Sequence, residues 1–74
     1  MAIGGRWRFE RYHPNMLAPR REIIVLNILR KKPLNVWEIW TAAQKERPPL
    51  DWDALEDAII SLGKQGLITR LKED

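Results

Sequence analysis

Two capped amphipathic segments, residues 35–47 and 51–65, meet at the corner Pro48-Pro49 and run into the β-rich stretch Leu67-Ile68-Thr69-Arg70-Leu71. This arrangement constrains the chain more than any other feature, because its start and stop signals are local. Asn35 sits three residues before Glu38, the spacing of a capping box, and Leu34 and Ile39 hold the positions of a hydrophobic staple. Asp51 repeats the device with Leu50 and Leu55 as its staple. The residue before each proline is pushed out of the helical region, so Pro48-Pro49 forbids one continuous helix. Gly66 can take the left-handed conformation after Gln65, which lets Leu67 fold back toward Leu62 in a Schellman ending. The spacing therefore predicts helix, turn, helix and strand over residues 35–72.

Upstream, the segment Arg6-Trp7-Arg8-Phe9-Glu10-Arg11-Tyr12 interleaves charged and aromatic residues, which predicts a half-buried strand over residues 6–12. Residues 1–5 are expected to be a flexible start. Pro19 suits a first helical position and Pro33 is a stop, so a first helix is expected over residues 19–32. At about 100° per residue, Ile23, Ile24, Val25, Leu26, Ile28 and Leu29 cover most of its circumference. Only the sector near Asn27, Arg30 and Lys31 is polar. Such a helix needs cover on several sides, from the N-terminal segment or from a second subunit.

In the second helix Val36, Ile39, Trp40 and Ala43 share a face, with Trp37, Thr41 and Gln44 to the side. In the third, Trp52, Leu55, Ala58, Ile59 and Leu62 form an apolar stripe. Its opposite face presents Asp53, Asp57, Ile60, Ser61 and Lys64.

The 74 residues suit one compact domain over residues 6–74, and a chain this short buries only roughly 60% of its unfolded surface, which makes oligomerisation a plain source of extra stability. Cysteine is absent, which excludes disulfides and thiolate metal sites. No apolar run approaches ~18 residues and no signal-peptide core follows Met1, so the expectation is a soluble cytoplasmic protein with no membrane partner. The single histidine, His13, lies beside Pro14 in an expected turn with no ligands spaced to join it, and no nucleophile and base are paired in sequence. Neither enzymatic activity nor a cofactor or metal is indicated. Charge is uneven: residues 1–32 carry eight Arg or Lys against Glu10 and Glu22, a balance of +6, whereas residues 33–74 balance at −3.

The phrases Ile28-Leu29…Lys32-Pro33-Leu34, Glu38-Ile39-Trp40 and Leu62-Gly63-Lys64-Gln65-Gly66-Leu67-Ile68-Thr69-Arg70 sit in the order helix, link, helix, turn, helix, strand. On these, residues 20–72 resemble the winged helix-turn-helix superfamily, especially small regulators of the PadR and MarR type. The resemblance implies a mainly α fold with a small β element, a homodimer, and transcriptional regulation through double-stranded DNA. It also implies that the third helix enters the major groove while basic residues of the wing grip phosphates. Carried over, Ser61 and Lys64 lie on or beside the reading helix, and Arg70 and Lys72 on the strand leading to the wing.

A wing has two strands, and only one follows the third helix. A lone strand leaves backbone donors and acceptors unpaired, so residues 6–12 are expected to pair with residues 67–71, the alternative being that this strand pairs with its copy in a second subunit. That pairing would gather Arg6, Arg8, Arg11, Arg70 and Lys72 into one phosphate-gripping edge. Arg20 and Arg21 join the candidates, since cations near a helix N-terminus are unfavourable without another role. The start of the third helix is acidic, which opens a second reading: a protein-interaction module in which Trp37, Asp53, Asp57 and Ile60 dock a basic partner.

Overall fold

The computed structural model describes residues 3–14 and 17–72. Its elements are β1 (Arg6–Phe9), α1 (Arg20–Leu29), β2 (Leu34–Asn35), α2 (Val36–Ala43), α3 (Trp52–Lys64) and β3 (Ile68–Arg70). Three helices pack beside a three-stranded antiparallel sheet of order β2-β1-β3.

Both helix starts behave as their local sequence dictates. The Asn35 side chain accepts the Glu38 amide at 2.9 Å, and the Glu38 carboxylate accepts the Asn35 amide at the same distance. Asp51 Oδ1 accepts the Ala54 amide at 2.7 Å. Each satisfies donors that have no intrahelical partner, a contribution of typically about 1 kcal/mol. Gly66, at φ 74°, ends α3: the Leu67 amide donates to the Leu62 carbonyl at 3.0 Å and the Gly66 amide to the Gly63 carbonyl at 3.1 Å. These are the two bonds of a Schellman motif.

Helix bounds differ from the sequence reading wherever a proline lies beyond the end. α2 stops at Ala43, not residue 47: the Lys45 and Glu46 amides donate three residues back, to Ala42 and Ala43 carbonyls, which tightens the last turn. Pro48 then requires Arg47 to leave the helical region, and the Gln44 side chain closes the corner by donating to the Leu50 carbonyl at 2.9 Å. α1 stops at Leu29, not residue 32, because Pro33 imposes the same demand and the chain must extend to form β2. Pro19 is the cap of α1 and not its first helical residue, with ψ 145°.

β1 ends at Phe9, three residues short of the expected strand. The Glu10 and Arg11 amides both donate to the single Leu67 carbonyl, at 2.9 and 3.3 Å, so the ladder runs out there. Tyr12 breaks the two-residue alternation and turns back edge-on to Phe9, with ring centroids 5.0 Å apart. Nor is the whole N-terminal start free, as had been expected of residues 1–5. Met1 and Ala2 lie outside the described residues, but Ile3 is buried and its carbonyl accepts the Trp7 indole at 3.1 Å.

The core joins Val25, Leu26 and Leu29 of α1, Ile39 and Ala43 of α2, and Leu55, Ala58, Ile59 and Leu62 of α3 with Ile3, Trp7, Leu67 and Ile68. Cover for α1 therefore comes from within the chain, from α2, α3 and β1. Ile23, at 40% exposure, is the main apolar residue of α1 left outside. The second subunit is not needed to bury this helix. No helix among the described residues is long and apolar enough to cross a membrane.

Candidate nucleic-acid interface

The pairing of the chain's two ends decides what lies beside α3. In β1, Trp7 and Phe9 turn inward while Arg6 and Arg8 stay exposed, as the two-residue period of a strand requires. β3 adds itself antiparallel with Trp7 opposite Arg70, Arg8 opposite Thr69 and Phe9 opposite Ile68, and the Leu71 amide extends the ladder to the Arg6 carbonyl at 2.8 Å. β2, absent from the sequence reading, closes the other edge with Asn35 opposite Arg6 and Leu34 opposite Trp7.

Trp7 is the joint between sheet and helix. A Cβ added at Gly63 of α3 would lie 3.3 Å from the Trp7 ring, so the glycine permits the strand to approach the helix this closely. The Arg70 guanidinium covers the same ring at 4.9 Å from its centroid, a cation-π contact. Between α3 and the sheet runs an open groove of about 370 Å³ lined by Trp7, Ile60, Gly63, Lys64 and Arg70, among others. A second groove of about 490 Å³, lined by Arg21, Asp57, Ile60, Ser61, Lys64 and Gln65, flanks the other side of the helix. Ile60 and Lys64 border both. The C-terminal half of the α3 outer face thus carries Lys64 between Arg21 and Arg70, while Asp53 stands exposed in its first turn.

Several expected phosphate ligands are engaged in holding the fold. Arg8 pairs with Glu10 at 2.8 Å. Arg20 donates to the Pro48 carbonyl at 2.7 Å and so ties the start of α1 to the α2–α3 corner. Arg11 reaches the Gln65 carbonyl at 3.5 Å, at the negative end of the α3 dipole, through one nitrogen only, and it stays exposed. Arg6 and Lys72 are exposed.

Ser61 does not face outward as expected. Its hydroxyl donates at 3.0 Å to Glu22 Oε2, a buried carboxylate at 5% exposure, while Gln65 Nε2 lies 3.5 Å from Glu22 Oε1 and donates to Ser61 Oγ at 3.0 Å. His13 Nε2 lies 3.5 Å from Glu22 Oε1 and is largely buried, so it is more than an ordinary turn residue. Serine, glutamate and histidine thus meet, but the carboxylate bridges the other two. A nucleophilic serine needs the histidine beside its hydroxyl and the carboxylate behind the histidine; in this order the network satisfies the buried polar atoms of the Glu22 side chain instead. The signal was available in the sequence, because Glu22 falls on the spacing of Val25, Leu26 and Leu29.

Glu10 links the strands. Its Oε2 accepts Thr69 Oγ1 at 2.7 Å and two Arg8 nitrogens at 2.8 and 3.0 Å. The Thr69 hydroxyl first, and then Arg8, hold the Glu10 carboxyl below the ordinary glutamate range by hydrogen bonding its charged form. Because the folded pKa is depressed, whatever this cluster contributes to stability is present above the ordinary glutamate value and is lost as pH falls through the folded value. An NMR titration of the Glu10 side-chain carbonyl is expected to show a midpoint below that of a free glutamate, and Thr69→Val is expected to raise it. An unchanged midpoint in the variant would remove Thr69 as the cause.

The four residues of the protein-docking reading do not form one surface. Asp57 and Ile60 border the basic groove beside Arg21 and Lys64. Trp37, 66% exposed, instead lines a separate shallow groove with Asn35, Glu38, Thr41, Ala42 and Lys45. Comparison with protein-family models, curated proteins and solved structures gives no match.

Proposed function

We propose that this protein is a winged-helix DNA-binding protein, a transcriptional regulator that grips double-stranded DNA through the β1–β3 edge and the C-terminal half of α3. The observation that carries the reading is the antiparallel pairing of β1 with β3. In this arrangement the N-terminal strand serves as the return strand of the wing, and it brings its arginines to the sheet that flanks α3.

The acids of α3 are compatible with this orientation. Asp51 is consumed as a cap and Asp53 complements the helix dipole in the first turn. Lys64 ends the helix. Duplex DNA would therefore meet the C-terminal half of α3 and the sheet edge, with Arg6, Arg11, Lys64, Arg70 and Lys72 as the cations toward phosphate. Ser61 is withdrawn from base reading, so the grip depends on backbone charge more than on base edges, and selectivity among sequences is weak.

Fluorescence anisotropy of a labelled duplex tests this. Binding is expected at ~50 mM salt, and if all five cations meet phosphates the log–log salt slope is roughly −4.5. No binding at that salt would reject the reading.

A further inference from the structure

Trp37 is held out on a rigid aromatic stack that the DNA surface does not use. Its ring lies 5.5 Å from that of Trp52, tilted by 36°, and Trp52 in turn packs edge-on to Trp40 at 5.3 Å. Trp40 and Trp52 are both packed against the core, so the outermost indole rests on a fixed base. Two-thirds of Trp37 is exposed all the same. Large exposed aromatics on a fixed base are characteristic of binding surfaces, because little side-chain freedom remains to be lost on contact.

The surroundings are acidic. Glu38 follows Trp37 and borders the adjoining groove of about 390 Å³. Asp51 and Asp53 flank Trp52 and are exposed, and Glu56 lies one turn further along α3. Lys45 is the cation of that groove. A cluster of this sign is opposed to the chain's overall charge of +3. An indole face bordered by carboxylates attracts guanidinium and ammonium groups by cation-π and ion-pair contacts together.

We infer that the Trp37–Trp52 shelf is a docking site for an arginine- or lysine-rich segment of a partner protein. Glu38 and Asp51 also cap their helices, which leaves Asp53 and Glu56 as the carboxylates open to a partner, and these disfavour nucleic acid. A second copy of this chain is the rival occupant, and self-association through Trp37 without peptide would reveal it. The grooves beside α3 share no residue with the Trp37 groove, so DNA and the basic segment can be held at the same time.

The test is titration of the intact protein with a short blocked peptide alternating Arg and Gly, followed by calorimetry and by the indole N–H resonances at ~50 mM salt. The Trp37 indole resonance is expected to shift. Trp37→Ala is expected to weaken binding roughly two- to fivefold, and Asp53→Lys with Glu56→Lys roughly tenfold, whereas Lys72→Glu leaves it in place. The double charge variant keeps the test valid if loss of the indole disturbs Trp52. The inference is overturned by absence of binding, by equal binding to both altered proteins, by equal binding of a Glu-Gly peptide, by self-association through Trp37 without peptide, or by duplex DNA shifting the Trp37 indole.

Discussion

Trp7→Ala is expected to destabilise the fold by about 3–5 kcal/mol, the range for truncating a buried large aromatic. Trp7 is only 7% exposed, abuts Gly63, and donates from its indole to the Ile3 carbonyl. Its loss opens a cavity between β1 and α3, removes the ring that Arg70 covers, and leaves a carbonyl without its donor. Small domains are stable by only about 5–15 kcal/mol, so the variant is expected to be largely unfolded under mild denaturant. Denaturant titration followed by circular dichroism measures this. A loss below about 1 kcal/mol would mean that β1 is an appendage, because surface changes stay within roughly that size.

Reversing the exposed cations Arg6, Lys64 and Lys72 to glutamate together is expected to lower affinity for duplex DNA on the order of a hundredfold at ~50 mM salt. One of the three comes from β1, one from α3 and one from beyond β3, and all three are exposed. If each meets one phosphate, the salt slope becomes shallower by roughly 2.7. Circular dichroism is expected to remain that of the parent, since none of the three contributes to the core. Unchanged affinity and slope would assign the basic residues to solvation alone.

What could be read from the sequence was what is decided locally. The two caps, the Pro48-Pro49 corner and the Gly66 ending each need only neighbours within a few residues, and each has the expected geometry. The β1–β3 pairing is long-range, yet it followed from the unpaired backbone of a lone strand. β2 was missed because two residues, Leu34 and Asn35, form no recognisable pattern, and their local roles in staple and cap already accounted for them. Helix ends were extended too far at residues 30–32 and 44–47, where Arg30-Lys31-Lys32 and Gln44-Lys45-Glu46-Arg47 are good helix formers but a coming proline dictates the backbone.

The site was harder to read, because a charged residue's partner is set by tertiary packing. Arg8 and Arg20 looked available and are bound to Glu10 and the Pro48 carbonyl. Ser61 looked like a reading group until Glu22, 39 residues earlier, took its hydroxyl. Trp37 and Ile60 looked like one patch, but lie on different grooves.

The most direct measurement is a map of backbone amide shifts as duplex DNA is added. The expected response centres on Arg6, Arg11, Lys64, Arg70 and Lys72, with Trp37 and Thr41 unmoved. Shifts gathered around Trp37 and the acidic start of α3, with β1 and β3 silent, would contradict the assignment of the paired chain ends as the gripping edge.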